Sequence, residues 1–272
     1  MIATFPGGTW SAVTAPEGGL NPPVTTDPEV DLNSVSCDAG GAACAATGSY
    51  VFWHGGDGRG VALTEIRSHG TWTAGNVPLA GLRPSASGPY SDIGAIACPA
   101  QSSCLAIGGY STATESPAIA VSYNGTNWST APMPTAGLSP AVIGQGSVSL
   151  SDLTCRQAGF CVATGSYVDS AGDRHGAIEM LAGGTWHART APVAGLFPAA
   201  AYNWGAVPSA VTCVTARFCL AVGGYGAATP GSRPLADTFS ASPSAAPGYL
   251  VATADGQVTS FRASSFPGPR FP

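Results

Sequence analysis

The chain of 272 residues has few charged side chains. Asp, Glu, Lys and Arg together make up only 9% of it, and ten Lys and Arg against fifteen Asp and Glu give a formal net charge of −5. Nucleic acids and anionic lipids are bound through clustered positive charge, which such a composition does not offer. The sequence therefore predicts no nucleic-acid partner.

Long apolar runs are also missing. No stretch of about 18 apolar residues occurs, so we expect no membrane span. Residues 1–6 lack the basic and apolar regions of a secretory signal peptide. Either a signal peptide has been removed or the chain is a segment of a longer protein, and we favour the second interpretation.

The motifs of the common catalytic sites do not occur. The sequence has no Gly-x-Ser-x-Gly nucleophile elbow, no P-loop and no dinucleotide-binding fingerprint after a plausible strand. The four histidines, which follow no metal-ligand spacing, are His54, His69, His175 and His187. We therefore expect no enzyme activity, no cofactor and no metal site.

Glycoside hydrolysis and calcium binding are two alternatives that the acidic residues leave open. Glycosidases need two carboxylates roughly 5 to 9.5 Å apart in a cleft. Glu65 and Glu179 take equivalent positions in the repeat described below, but the second unit has Ala120 there, so we expect both glutamates on a solvated strand face. The loops 55–58 and 169–173 are rich in oxygen atoms, but neither supplies enough carboxylates for calcium alone.

Residues that interrupt helices are plentiful, by contrast. The chain has 37 Gly and 23 Pro, spread throughout, and in a helix interior they cost about 1 and 3 kcal/mol each. Its eight cysteines form four evenly built pairs, which is typical of an oxidising compartment. This composition predicts an all-β protein that contains disulfides.

The cysteine pairs reveal an internal repeat, and the repeat decides the fold. The pairs are Cys37/Cys44, Cys98/Cys104, Cys155/Cys161 and Cys213/Cys219. Each is followed by a strand that ends in tyrosine, at Tyr50, Tyr110, Tyr167 and Tyr225. A Gly-Thr turn leads into Trp10, Trp72, Trp128 and Trp186, and a Gly-Leu step follows at Leu20, Leu82, Leu138 and Leu196.

Within a unit, every regular segment is typical of a β-strand. In the third unit these segments are 153–155, 161–167, 176–181 and 186–189, separated by polar or Gly-rich turns. Each unit of about 58 residues is thus predicted to be a four-stranded antiparallel meander. Radial repetition protects the edges of such sheets, so we predict a small β-propeller of four or five blades, each with an intra-blade disulfide.

The spacing of the cysteines supports disulfides. Cysteines that flank a five- or six-residue turn lie opposite each other on adjacent antiparallel strands, near enough to bond. Closing so short a loop contributes only about 2 kcal/mol per bridge, so the bridges would set local register. Four zinc half-sites are the alternative, but the spacings exceed the usual range and no histidine recurs beside them.

The repeated aromatic residues have a packing interpretation and a binding interpretation. An aromatic side chain at the same position of every blade normally packs between neighbouring blades, and we favour this. An exposed ring of them would instead indicate sugar stacking. The candidate ligand-binding residues are therefore Tyr50, Tyr110, Tyr167 and Tyr225.

The pattern Cys-x5-Cys-x-Ala-x-Gly-x-Tyr followed by Asn/Gly-Gly-Thr-x-Trp resembles the propeller-type repeats of large secreted and cell-wall-associated actinobacterial proteins. The resemblance covers residues 33–225 and the N-terminal hairpin, and residues 248–261 resemble a second repeat type of such proteins, although this copy lacks its tryptophan. It implies a propeller fold and a secreted, extracellular or cell-wall location. It implies no catalytic residue.

We expect a single repeat domain over residues 1–272. Its parts are a half-unit at 1–20 and units at about 33–84, 93–140, 150–198 and 209–262, the last with an insertion at 226–247. The half-unit could complete the last unit, or residues 249–262 could do so and leave the half-unit in a fifth blade. Alternatively, the half-unit could complete a blade of a neighbouring molecule and build an oligomer or filament.

The leading functional hypothesis is a non-catalytic extracellular module that binds a cell-surface protein or serves as a scaffold, because the repeat offers broad loop faces. A carbohydrate-binding, lectin-like propeller is the second hypothesis. A structural subunit that polymerises by strand donation is the third, and a glycoside hydrolase ranks last.

Overall fold

The computed structural model describes residues 1–4, 10–24, 29–41, 43–54, 57–84, 90–139, 148–196, 199–200, 205–215, 218–227, 231–239, 249–252 and 258–261. The regular elements within these ranges are all β-strands, which confirms the predicted all-β class. In this part of the chain, no helix is long and apolar enough to cross a membrane.

The strands form one two-stranded half-sheet and four larger antiparallel sheets, numbered in chain order. The half-sheet contains β1 (Ile2–Thr4) and β2 (Ser11–Val13). Sheet 1 contains β3 (Val30–Cys37), β4 (Cys44–His54), β5 (Asp57–Ser68) and β6 (Thr71–Asn76). Sheet 2 contains β7 (Ser91–Ala100), β8 (Ser103–Tyr110), β9 (Ala118–Tyr123) and β10 (Trp128–Pro132). Sheet 3 contains β11 (Val148–Gln157), β12 (Phe160–Val168), β13 (Arg174–Ala182) and β14 (Thr185–Thr190). Sheet 4 contains β15 (Ala206–Thr215), β16 (Phe218–Gly226), β17 (Ser232–Phe239), β18 (Tyr249–Ala252) and β19 (Val258–Phe261).

Each sheet is a meander in which every strand pairs with the next one along the chain. Sheets 1 to 3 have the four strands that the repeat predicts, and sheet 4 has five. The expected insertion at 226–247 is wrong, because that segment contains β17, the third strand of sheet 4. Its alternation of buried Leu235, Asp237 and Phe239 is masked in the sequence by the surrounding Pro, Ala and Ser residues.

A bulge in the first strand explains one repeated glycine. In sheet 1 the register shifts between Leu32 and Ser34, and the first strands of the other sheets shift at the equivalent place. A Cβ on Gly48 would collide with the carbonyl oxygen of Asp31, and the same holds at the equivalent Gly108, Gly165 and Gly223. The glycine that precedes each repeated tyrosine by two residues is therefore required by the bulge.

Consecutive sheets pack face to face. The first strand of each sheet crosses the face of the sheet before it, so that β7 packs on β3, β4 and β5, and β11 packs on β7, β8 and β9. Strand β15 packs in the same way on β11, β12 and β13. We call the face that meets the preceding sheet the front and the face that meets the next sheet the back. The half-sheet lies at the front of sheet 1, where buried Ile2 and Ala46 line one small cavity.

The two ends of every sheet differ. At the disulfide end, the first two strands are joined by the short turn that the cysteines flank. At the tyrosine end lie the loop between the second and third strands and the connector to the next sheet. Repeated short turns thus occupy one end of the row, and longer loops of varied sequence occupy the other.

The row of sheets is open. Within the described residues, no extensive packing joins sheet 4 to the half-sheet or to sheet 1. Strand β16 pairs with β17 of its own sheet, so the half-sheet does not complete the last unit. Strands β18 and β19 extend sheet 4 instead. This agrees with the second expected closure in so far as residues 249–262 were expected to complete the last unit.

Candidate functional site

The four cysteine pairs form disulfides within sheets. They are Cys37–Cys44, Cys98–Cys104, Cys155–Cys161 and Cys213–Cys219. In sheets 1, 3 and 4 the two cysteines are direct cross-strand partners, so the bond fixes the register of the first hairpin. The predicted intra-sheet bridges are confirmed, and no thiol remains among these residues to act as a nucleophile or a zinc ligand.

The four repeated tyrosines are buried. Tyr50 and Tyr167 are 0% exposed, and Tyr110 and Tyr225 are 7% and 3% exposed. A ring that stacks on a sugar needs one accessible face, and these side chains offer none. Their burial agrees with the packing interpretation, and it removes the feature on which the lectin hypothesis depends.

Each tyrosine lies in the same apolar cluster as the leucine that precedes its own sheet in the chain. Leu20 shares an apolar cluster with Tyr50, and Leu138 shares one with Tyr167. The pairs Leu82/Tyr110 and Leu196/Tyr225 belong to clusters of the same kind. We call this shared cluster the Leu–Tyr dock. The Gly-Leu step thus leaves one sheet and fixes the connector onto the next.

Hydrogen bonds reinforce the dock in sheets 1 and 3. The Tyr50 hydroxyl donates to the carbonyl oxygen of Pro22 (2.8 Å) and accepts a bond from the amide of Asn76 (3.0 Å). In sheet 3 the Tyr167 hydroxyl bonds the Thr190 hydroxyl (2.8 Å), which also donates to the carbonyl oxygen of Ser139 (2.9 Å). In these two sheets the tyrosine ring packs in the apolar cluster and the tyrosine hydroxyl forms hydrogen bonds, and both hold the connector in place.

A buried acidic position recurs on the third strand of three sheets. Glu65, Glu179 and Asp237 pair with the equivalent alanines of the second strands, and in sheet 2 the same register holds Val121. The sequence alignment that placed Ala120 there is wrong by one residue, because β9 pairs one step further along. The expected solvated strand face is also wrong, since the three acids are 0 to 1% exposed.

These acids lie singly in different interfaces. Glu179 points from the front of sheet 3 toward sheet 2, and Asp237 points from the front of sheet 4 toward sheet 3, as their buried neighbours in the strands show. Glu65 points toward the half-sheet. Within the described residues, one oxygen of Glu65 and both oxygens of Glu179 and Asp237 lack a hydrogen-bond partner. The structure therefore does not bring Glu65 and Glu179 together in a cleft.

Burial favours the protonated form of these carboxyls by raising their pKa values. It raises the pKa of Glu179 to about 8. It raises the pKa of Glu65 to about 7 against the weaker opposing effect of the Met1 amino group. Burial also raises the pKa of Asp237 to about 7, and here the Arg189 guanidinium opposes it. A carboxyl enclosed among apolar side chains favours its neutral form, which is how these residues are tolerated between sheets.

The loop at 169–173 uses its first aspartate internally. One oxygen of Asp169 accepts backbone N–H bonds from Ala171 (2.8 Å) and Asp173 (2.9 Å). The other oxygen accepts a bond from Nε2 of His175 (2.9 Å), and this bond lowers the pKa of Asp169. His175 in turn stacks on Tyr167, with ring centroids 5.2 Å apart. The aspartate therefore closes its own turn; residues 55 and 56 of the other oxygen-rich loop lie outside the described residues.

A wide groove lies at the tyrosine end of sheet 2. Its volume is about 960 Å³. Its walls are the connector 81–84, the β8–β9 loop 112–117 and residues 132–136 after β10. Arg83, Thr112, Thr114 and Glu115 supply its polar groups, and prolines supply much of its apolar surface.

The β8–β9 loop that forms one wall of this groove is held by backbone hydrogen bonds, among them Thr112 N–H to the carbonyl oxygen of Glu115 (2.7 Å), and by the Thr112 hydroxyl. The Thr112 hydroxyl accepts the backbone N–H of Glu115 (2.9 Å) and donates to its carbonyl oxygen (3.2 Å). The sequence does not reveal this groove, because its walls come from three separate segments and its polar side chains lie outside the repeated motif. No protein-family model matches the sequence, and no curated protein is significantly similar to it.

Proposed function

We propose that the chain is a non-catalytic extracellular binding module, and that the groove at the tyrosine end of sheet 2 holds a segment of a partner protein. One observation carries this proposal. The side chains that recur in every unit are used in disulfides and Leu–Tyr docks, whereas the polar lining of the groove, Arg83, Thr112, Thr114 and Glu115, comes from positions that differ from unit to unit. Repetition serves the fold, and variation is concentrated on a loop face, where binding residues are commonly found.

A polypeptide fits this groove better than a sugar. Sugar sites normally offer an exposed aromatic ring, and the aromatic side chain of this groove, Tyr110, is buried beneath its floor. Prolines and Met133 provide apolar contacts, while Arg83 and the threonines provide donors and acceptors. An extended peptide needs this combination of small apolar pockets and polar groups. The lectin-like alternative depended on the four repeated tyrosines, and all four are buried.

The extracellular location is supported by the four disulfides, which persist in oxidising compartments. The β-propeller remains our prediction of the overall form. It is supported by consecutive four-stranded meanders that pack front to back, the arrangement of propeller blades. The resemblance to secreted and cell-wall-associated actinobacterial repeats also stays a prediction.

The test is a binding screen with the full, non-reduced chain. We expect peptides to be selected from a displayed library, and we expect a glycan array and chromogenic glycosides to give no signal. Arg83→Glu reverses the charge of the groove, and Thr114→Arg fills it. Each should weaken binding of a selected peptide about tenfold or more, the loss of an interface contact of ordinary importance.

Matched controls lie on the other sheets. Arg233→Glu reverses an exposed charge on β17, and Ala171→Arg enlarges the equivalent loop of sheet 3. Neither should change the affinity. Peptide binding that resists both groove variants would contradict the assignment of the groove, and glycoside cleavage would contradict a non-catalytic module.

A further inference from the structure

The two ends of the row of sheets carry faces that the described chain leaves uncovered. One is the back of sheet 4, and the other is the front of the half-sheet. Inside the molecule, the back of each sheet meets the front of the next one in every described interface. The two end faces are therefore the two halves of an interface that the chain builds repeatedly.

The back of sheet 4 has an exposed apolar strip on β16. Val222 is 42% exposed. The residues at its position in sheets 1 to 3 are Thr47, Ile107 and Thr164, and all three are 0% exposed. Phe218 is 40% exposed, although its counterpart Phe160 is 6% exposed. These positions form contacts in the other sheets and lie open in this one.

The described residues of this face on β16 and β17 carry no charge. Leu220 lies between the two exposed residues on β16, and Pro234, Ala236 and Thr238 alternate on the same side of β17. A partner of this surface must therefore be held by apolar packing. Such contacts depend weakly on salt, because no ion pair is screened.

The front of the half-sheet presents the complementary feature. Trp10 is 70% exposed, whereas Trp128 and Trp186, which follow the same Gly-Thr turn in sheets 2 and 3, pack against the apolar clusters they share with the preceding sheets. Ala3 is exposed as well, and it takes the register position at which Glu179 is buried. The repeated tryptophan thus lacks, in the half-sheet, the preceding sheet that covers its counterparts.

We propose that this chain associates head to tail, with the half-sheet of one copy seated on the back of sheet 4 of another. The occupant is a second copy because the two open faces match the front and the back that meet inside the chain. Neither face is its own complement, so the contact is heterologous. Successive copies then extend the row of sheets, as an open filament or as a ring, according to the rotation between them.

This association differs from strand donation, since it needs no exchange of hydrogen-bonded strands. The half-sheet keeps its own β1–β2 pairing, and sheet 4 keeps β16 paired with β17. It is also independent of the peptide groove, which lies at sheet 2. Failure of either proposal leaves the other standing.

The experiment is sedimentation velocity of the full, non-reduced chain over a wide range of concentration, at low and high salt. We expect species larger than the monomer to grow with concentration and to change little with salt. Val222→Asp and Trp10→Ser should each weaken association about thirtyfold, as the loss of a central interface residue does. Val193→Asp is the control, because Val193 is 45% exposed but lies on the connector after β14.

Mixing the two variants gives the decisive result. The Trp10→Ser protein keeps a working back face, and the Val222→Asp protein keeps a working front face. Together they should form a one-to-one dimer that does not grow further. Concentration-dependent protection of β1, β2, β16 and β17 from hydrogen exchange should accompany association of the unaltered chain, which provides a measurement that needs no variant.

Two outcomes would overturn the proposal. A monomer at every concentration would show that the end faces do not join separate copies, whether or not they meet within one chain. Association that Val222→Asp abolishes and Trp10→Ser leaves intact would show a back-to-back dimer instead.

Discussion

The interface between sheets 1 and 2 and the interface between sheets 2 and 3 are built on one plan with one difference. In both, the first strand of the later sheet crosses the face of the earlier one, and a Leu–Tyr dock lies at the tyrosine end. At the central position of the third strand, however, the first interface has Val121 and the second has Glu179. Both side chains are 0% exposed.

The fold therefore accommodates a carboxyl in its core, and burial there favours the neutral form of that carboxyl. The pKa of Glu179 is about 8 in the folded protein and 4.5 in an exposed reference group. Below pH 4.5 both states hold the proton, and folding carries no ionisation cost. Between these values only the unfolded state releases it, so the free energy of unfolding falls as the pH rises and levels off above about 8.

The largest expected effect comes from placing an acid in the apolar interface. Val121→Glu should lower the free energy of unfolding by about 3 kcal/mol at pH 9, because a buried carboxylate must be desolvated. The loss should be smaller at pH 5, where the new carboxyl is neutral and the Thr130 hydroxyl, opposite on β10, can donate a bond to it. Urea unfolding at the two pH values measures both losses.

An equal loss at pH 5 and pH 9 would mean that Val121→Glu acts through overpacking alone. A Val121→Gln protein is the matched control, because it adds nearly the same volume without a titrating group.

The reverse exchange should make the second interface resemble the first. Glu179→Val should raise the free energy of unfolding by about 2 kcal/mol at pH 9 and change it little at pH 5, since one unit of pKa difference corresponds to about 1.4 kcal/mol and replacing a buried charge by an apolar group is often stabilising. The measurement is again urea unfolding across this range.

Glu29→Gln serves as the control for Glu179→Val, because Glu29 is exposed before β3 and its loss should leave the pH profile unchanged. A Glu179→Val protein that keeps the full decline of stability above pH 5 would refute the role given to this residue.

The smallest expected effect concerns the third interface, where a cation faces the acid. The guanidinium of Arg189 lies 4.8 Å from the centre of the Phe239 ring and lowers the otherwise raised pKa of Asp237. Arg189→Met should therefore reduce the free energy of unfolding by about 1 kcal/mol more at pH 8 than at pH 5, since roughly 1.4 kcal/mol accompanies each unit of pKa.

The losses of unfolding free energy that Arg189→Met causes at pH 5 and at pH 8 separate the contact with Phe239 from the effect on Asp237. The part common to both pH values is the lost contact with the Phe239 ring, about 0.5 to 1 kcal/mol for a cation over an aromatic face. If the whole loss is independent of pH, then Arg189 does not act on Asp237.

The sequence predicted those parts of the fold that follow from local spacing. Cysteines flanking a short turn must lie across a hairpin, so Cys155–Cys161 and its equivalents could be placed directly. The repeat likewise predicted the four-stranded meanders. It did not show β17, because Pro234 is unusual in a strand and the neighbouring Ala and Ser residues give little contrast between the two sides.

The buried acids and the groove could not be predicted, for two different reasons. Alternation along β13 tells which side of the strand Glu179 occupies, but not that another sheet covers that side. A charged residue is then naturally assigned to solvent. The groove depends on how the connector at Arg83 approaches the loop at Glu115, a distance in space that no spacing in the sequence encodes.

The Leu–Tyr dock also bears on how such a chain can be inherited and altered. Leu138 is encoded with the strands of sheet 2, yet it fills the space beside Tyr167 of sheet 3. A recombination event between two connectors adds or removes one whole unit, and every tyrosine of the product still follows a leucine. The gene can therefore lengthen or shorten in steps of one unit without leaving an unfilled cavity in the protein.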